Sequence, residues 1–118
     1  MAIGESSHWR PVARVADLRP GDPLAVGLDG LELVVGIDEG RYFATQRRCP
    51  HRGGDFVEGL ISRGYLICPV HAWSFDVTTG AMPGGSTFCL ITYAVRVNGD
   101  KLEVDPRPMP SPVARSDS

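Results

Sequence analysis

Short stretches of alternating apolar and polar residues run along most of the chain, with turn-forming residues between them. The alternation predicts strands over 9–15, 23–28, 31–37, 41–45, 73–76, 87–97 and 101–104, and a hairpin over 60–67. Three pairs of residues, Asp29-Gly30, Arg63-Gly64 and Asn98-Gly99, are typical of tight hairpin turns, and Asp38-Glu39-Gly40 marks a further turn. No helix longer than a turn or two is predicted. The pattern therefore predicts an all-β fold of antiparallel strands.

The length of 118 residues fits one domain. We expect a flexible N-terminus over 1–8, the domain over 9–105, and a disordered tail over 106–118, where proline and serine are frequent. With 14 glycines and 10 prolines, the composition favours short strands joined by turns over long helices. The net charge of −2 gives no general case for nucleic-acid or membrane binding. No apolar run approaches the roughly 20 residues that span a bilayer.

Two cysteine–histidine stretches stand out, Cys49-Pro50-His51 and Cys68-Pro69-Val70-His71, and sixteen residues separate them. The hairpin predicted between them runs out and back, which brings the two stretches side by side. Two thiolates and two imidazoles suit either zinc or an iron–sulfur centre. A zinc site needs all four donors on one ion, and the single residue between Cys49 and His51 is a tight bite for that. The spacing favours two irons, with a zinc-stabilised interaction module as the alternative.

These stretches resemble the signature of the Rieske-type [2Fe-2S] domain, Cys-x-His followed by Cys-x-x-His. The likeness extends over 49–54 and 68–76 and to Pro83, where the family places a proline loop over its cluster. The resemblance implies a fold of stacked antiparallel sheets, with a cluster-binding part at about 47–85 formed by two loops at one end. It implies that Cys49 and Cys68 bind an inner iron, and that His51 and His71 bind an outer iron through which the electron leaves.

The sequence departs from the high-potential members of that family in two ways. Gly54 and Val70 stand where those members carry a disulfide across the two loops. Trp73 and Phe75 stand where they carry a serine and a tyrosine that donate hydrogen bonds to cluster sulfurs. Because such bonds stabilise the more negative reduced state, their loss lowers the potential. We therefore expect a potential near the low end of the Rieske range, about −150 mV.

The resemblance is strongest to the ferredoxins that serve bacterial ring-hydroxylating dioxygenases. It implies a one-electron carrier, not an enzyme, that takes electrons from a flavin-containing reductase and passes them to an oxygenase. Such a carrier would be a monomer when free. Three cysteines cannot all pair, which suits thiolate ligation in a reducing cytoplasm. The alternative is a small subunit of a redox enzyme such as NADH-dependent nitrite reductase.

Several further residues carry weaker expectations. Arg47, Arg48 and Arg52 flank the first stretch and would form a basic rim for an acidic partner, unless they are ordinary solvated charges. Cys89 shares one strand face with four other apolar residues, Ile91, Tyr93, Val95 and Val97, and is expected to be a buried structural thiol. His8 is expected to be a surface residue.

Overall fold

The computed structural model describes residues 8–50, 53–70, 72–82 and 89–109. These residues form nine strands in two antiparallel sheets, with two single 3₁₀ turns, Val15–Asp17 and Phe56–Glu58. The strands are β1 (Arg10–Arg14), β2 (Leu24–Leu28), β3 (Leu31–Asp38), β4 (Arg41–Gln46), β5 (Leu60–Ser62), β6 (Tyr65–Ile67), β7 (Ser74–Asp76), β8 (Thr92–Asn98) and β9 (Lys101–Pro108). The all-β prediction is confirmed, and every predicted strand has a counterpart. Within the described ranges no helix is long and apolar enough to cross a membrane.

The larger sheet has six strands in the order β1-β9-β8-β4-β3-β2. Its two edges approach each other, since Arg10 at the start of β1 forms an ion pair at 3.7 Å with Asp29 after β2. One hydrophobic core packs against this sheet, and its fully buried members include Leu33, Val35 and Leu102. The smaller sheet, β5-β6-β7, is inserted in the chain between β4 and β8.

Three of the predicted hairpin turns form as expected. The central residues of each turn, Asp29-Gly30, Glu39-Gly40 and Arg63-Gly64, all have φ values between 51° and 84°. Positive φ at both central positions is the type I′ geometry, which matches the twist of the strands on either side. The Arg63-Gly64 turn joins β5 to β6, and this hairpin is what separates the two cysteine-containing loops.

The two sheets meet where β3 passes the β5–β6 hairpin. A Cβ atom at Gly36 would lie 2.8 Å from Phe43 Cζ and 2.9 Å from Ile61 Cδ1. Only glycine lets these two side chains close over the strand at this point. Phe43 and Ile61 belong to a second core, which continues through the smaller sheet to Cys49 and Cys68. The cysteines are therefore anchored in a packed core and not in free loops.

The structure corrects the prediction for the C-terminal part. β8 begins at Thr92 and not at residue 87, and Cys89 lies before it, half-buried and paired with Ala81 in an isolated bridge. The expected continuous buried face is also wrong at Ile91 and Val97, which are 43% and 45% exposed. The turn into β9 has positive φ at Gly99 alone, so Gly99-Asp100 forms it in the type II′ pattern.

β9 is longer than expected, because it runs to Pro108, three residues into the segment predicted as a disordered tail. Its pairing with β1 ends at Val104, whereas its pairing with β8 continues to Pro108 opposite Tyr93. Beyond Val104 one side of β9 is a sheet edge, where proline is tolerated. Residues 1–7 and 110–118 lie outside the described residues.

Candidate metal centre

The first cysteine-containing loop leaves β4 and returns at Asp55. The main chains of Arg48 and Asp55 pair as an isolated bridge at its base. Inside the loop, Cys49 N–H donates to the Gly54 carbonyl and Gly53 N–H donates to the Cys49 carbonyl, both at 2.8 Å. Gly53 has φ of 70°, which an L side chain adopts only with strain. Both main-chain polar groups of Cys49 are thus hydrogen-bonded to the returning end of the loop.

A charged pair ties the two ends of this loop together. Arg47 donates to both carboxylate oxygens of Asp55, with distances between 2.8 and 3.1 Å. Asp55 also accepts from Val57 N–H at 3.0 Å and so caps the 3₁₀ turn that follows. The hydrogen bond from Arg47 lowers the pKa of Asp55, and the bond to Val57 lowers it further against the opposing effect of burial. The carboxylate is therefore held in its charged form.

The second loop runs from Cys68 to Trp73 between β6 and β7. Cys68 N–H donates to the Trp73 carbonyl at 2.8 Å and closes the loop. Ala72 has φ of 58°, so the chain turns through a left-handed residue before β7. Val70 N–H lies 3.4 Å from Cys68 Sγ, a geometry that stabilises negative charge on the sulfur.

The structure brings Cys49 and Cys68 together, and both are almost completely buried, at 3% and 1% exposed. Burial raises the pKa of the Cys68 thiol, Val70 N–H partly offsets this, and the adjacent Cys49 side chain raises it further. Two neighbouring buried thiols lose their protons together only when a cation compensates the charge. This pair has the burial and the soft donor chemistry that a thiolate-bound iron requires.

Gly54 fits this arrangement because it has no side chain. A Cβ atom there would lie 2.8 Å from Cys68 Sγ and 3.0 Å from Val70 Cγ2. The first loop therefore passes directly over the sulfur of the second loop. Below the thiols, Phe75 is fully buried and meets Phe56 edge to face, with ring centroids 5.9 Å apart. Phe75 fills this position with an aromatic ring that carries no hydroxyl.

Only some of the other predicted site residues lie within the part of the chain that the structure describes. His51, His71, Arg52 and Pro83 lie outside the described residues. Arg47 is half-buried and bound to Asp55, whereas Arg48 is 56% exposed and lies 4.0 Å from the same carboxylate. Arg47 therefore closes the loop by pairing with Asp55. This role differs from the basic rim for a partner that the sequence predicts. His8 is half-buried, not a surface residue as expected.

A family model described as the Rieske [2Fe-2S] domain matches residues 8–89. The chain belongs to this family. Its cofactor is a Rieske-type [2Fe-2S] cluster, and the buried thiol pair fits the cysteine-bound half of that group. The resemblance inferred from the two motifs is confirmed, as is the Rieske fold.

Individual members of the Rieske family match nearly end to end. The ferredoxin component of the naphthalene 1,2-dioxygenase system of Pseudomonas aeruginosa is 31% identical, over 85% of this chain and 97% of its own length. The structure of the ferredoxin of carbazole 1,9a-dioxygenase from Nocardioides aromaticivorans IC177 has a TM-score of 0.75 at 30% identity, and the match covers 84% of this chain and 98% of that one. A carbazole 1,9a-dioxygenase structure described as a complex of reduced oxygenase and oxidized ferredoxin matches with a TM-score of 0.77 at 25% identity, over 88% and 98%.

Two residues that shape the Rieske site were not predicted. Asp55 had a local signal, because Asp55-Phe56-Val57-Glu58 has the spacing of a helix-capping box. Gln46 had none. Its amide bonds to Ile91, 45 positions away, and no local pattern reports a contact of that range.

Proposed function

We propose that this protein is a one-electron carrier whose cluster is held by Cys49 and Cys68 on the inner iron and by His51 and His71 on the outer iron. The observation that carries the proposal is the meeting of two buried thiols beneath two loops, in a chain that matches dioxygenase ferredoxins over almost their whole length. The bound cluster would supply reversible one-electron chemistry. The protein is an electron-transfer component, not an enzyme.

The described residues suit this task in two ways. The burial of Cys49 and Cys68 in a continuous core excludes water from the sulfur side of the site. Val70 N–H at 3.4 Å from Cys68 Sγ offsets part of the negative charge that reduction adds. The core side of the site is therefore closed to water, which leaves the loop side as the route for the electron.

The acceptor in this proposal is an oxygenase, and the donor is a flavin-containing reductase. The ferredoxin–oxygenase complex named above supports the acceptor. The free protein is proposed to be a cytoplasmic monomer, where its thiols stay reduced before the cluster is inserted.

Cysteine substitution tests the ligand assignment. Cys49→Ser and Cys68→Ser should remove the cluster, as measured by iron and acid-labile sulfide per chain after anaerobic purification. Cys89→Ser is the matched control, because Cys89 is half-buried and lies outside both loops. It should leave the iron and sulfide content unchanged. A colourless protein that contains zinc would instead support the zinc-stabilised module.

Electron transfer is tested separately. An affinity pull-down from the native source should recover a reductase or an oxygenase, and the cluster should cycle by one electron between them. Recovery of a stable complex with an NADH-dependent nitrite reductase would contradict the free-carrier role and support the enzyme-subunit alternative.

A further inference from the structure

Gln46, the last residue of β4, makes hydrogen bonds in two directions from one amide. Its Oε1 accepts from Ile91 N–H at 2.8 Å, and its Nε2 donates to the Arg48 carbonyl at 2.5 Å. Its main-chain N–H also donates to the Ile91 carbonyl at 2.9 Å. One side chain therefore joins the base of the first cysteine loop to the segment that enters β8.

The carbonyl that Gln46 holds belongs to the peptide unit between Arg48 and Cys49. The N–H of that same unit donates to the Gly54 carbonyl at 2.8 Å. Both polar groups of the peptide are thus fixed, one by Gln46 and one by the loop itself. Because a peptide unit is planar, fixing its two ends fixes the direction of the N–Cα bond of Cys49. The bond from Gly53 N–H to the Cys49 carbonyl restrains the other side of the same Cα, so together these contacts limit the direction of the Cα–Cβ bond that carries the sulfur.

The contact of Gln46 with Ile91 leads on to β7, the strand that follows the second loop. Leu90, which precedes Ile91, donates its N–H to the Gly80 carbonyl at 2.8 Å, and Gly80 N–H donates to the Asp76 carbonyl at 2.7 Å. Asp76 is the last residue of β7, the strand that follows the second cysteine loop. Hydrogen bonds, joined through the Leu90–Ile91 peptide, therefore connect the Arg48 carbonyl through Gln46 to the end of β7 that lies farther from Cys68.

An amide of this length is the one uncharged side chain that offers both the donor and the acceptor that these partners need. The partners also fix its orientation, since Ile91 presents an N–H and Arg48 presents a carbonyl. Glutamate keeps the acceptor but loses the donor when ionised, and methionine has the same length but neither group. These two substitutions separate the contacts.

We propose that Gln46 is a positioning residue that sets the orientation of Cys49 toward the metal centre and couples the first loop to the strand of the second. The inference rests on the proposed function, because it takes Cys49 as a ligand. It adds a residue that is not itself a ligand and that acts through the Arg48–Cys49 peptide. Its loss should change both the geometry at the sulfur and the rate at which the cluster is lost.

The test compares Gln46→Met and Gln46→Glu with the unsubstituted protein, all loaded with cluster. Visible circular dichroism and the g-values of the reduced-state electron paramagnetic resonance spectrum report the sulfur–iron geometry. Bleaching of the visible absorbance at fixed temperature gives the rate of cluster loss. Both variants should shift the spectra, and Gln46→Met, which loses both side-chain hydrogen bonds, should lose the cluster roughly 5 to 150 times faster, the factor that corresponds to two ordinary hydrogen bonds. Gln46→Glu isolates the Arg48 contact and remains informative if Gln46→Met does not fold.

Asn98→Ala is the control. It removes a side-chain hydrogen bond of 3.4 Å to Glu103 at the opposite end of β8, and it should leave the spectra and the rate of loss unchanged. Unshifted spectra in both Gln46 variants, even with lower thermal stability, would show a purely structural role and overturn the inference while the carrier function stands. If the unsubstituted protein binds no [2Fe-2S] cluster, the proposed function fails first and takes the inference with it.

Discussion

The close approach of Gly54 to the second cysteine loop predicts a strong effect of the smallest substitution available there, Gly54→Ala. The added methyl group would lie 2.8 Å from Cys68 Sγ and 3.0 Å from Val70 Cγ2. Carbon atoms in good contact lie about 3.5–4.0 Å apart, so the loops must separate by roughly 0.5–1 Å. Gly54 does not have a left-handed φ, and the methyl group is therefore the whole perturbation.

Overpacking of this kind costs about 1–3 kcal/mol, which corresponds to a roughly 5- to 150-fold shift in an equilibrium or a rate. Because the collision is with the sulfur proposed to bind the inner iron, we expect the cost to appear as faster cluster loss and lower iron and sulfide content. Movement of Cys68 should also alter the visible circular dichroism of the protein that does retain its cluster.

Gly53→Ala is the matched control in the same loop. No atom of the described residues lies within 4 Å of a Cβ atom at Gly53, but its φ of 70° is strained for alanine. That strain costs about 1–2 kcal/mol and is independent of the sulfur. It should lower the thermal stability of the apoprotein without shifting the cluster spectra. Cluster retention in Gly54→Ala equal to that of the unsubstituted protein would refute the close approach of the loops, as would equal spectral shifts in the two variants.

Three further predictions concern charge and potential. The hydrogen bond from Arg107 lowers the pKa of Asp105 to about 2. This carboxylate therefore stabilises the fold above its unfolded pKa, and the contribution disappears as pH falls toward 2. Asp105→Asn should reduce the loss of unfolding free energy with falling pH in acid. Asp55→Asn removes the pair with Arg47 and should raise the rate of cluster loss, with the largest difference from the unsubstituted protein above the lowered pKa of Asp55 and little difference in strong acid. Phe75 stands where high-potential members of the family carry a tyrosine hydroxyl that donates to a cluster sulfur. Protein-film voltammetry should therefore give a midpoint potential near −150 mV, the approximate low end of the Rieske range, and a value above zero would contradict this reasoning.

The hairpins were predictable because their turns are decided locally. Asp29-Gly30 places residues that tolerate positive φ at both central positions of a type I′ turn. In Arg63-Gly64 only the glycine has this tolerance, and the structure uses both pairs as type I′ turns. Asn98-Gly99 has the same chemistry but is overridden. Asn98 pairs with Lys101 across β8 and β9, so the two strands fix the turn one residue later. Strand register therefore decides between local turns of similar preference.

Only those parts of the site that depend on residues close together in the sequence could be predicted. The metal centre could be predicted from Cys49, Cys68 and their spacing, because the identity of the ligands and the hairpin between the loops are both local features of the sequence. The contact that shapes the centre, Gly54 against the Cys68 sulfur, joins residues fourteen positions apart in sequence and depends on how the loops stack. The three arginines looked alike in the sequence, yet Arg47 is bound by Asp55 whereas Arg48 is exposed.

The absence of cysteines at Gly54 and Val70 removes a disulfide between the loops, and the described contacts indicate what holds the first loop in place without it. Arg47 and Asp55 close the first loop at its base, and Gln46 fastens it to Ile91. Gly54, which excludes that disulfide, also lets the two loops approach to van der Waals contact. These contacts are non-covalent and partly exposed, so each contributes modestly and salt weakens the charged one. Cluster retention in this protein should therefore depend on several small contacts acting together, and substitutions at Gln46 and Asp55, which share the first loop, should be non-additive.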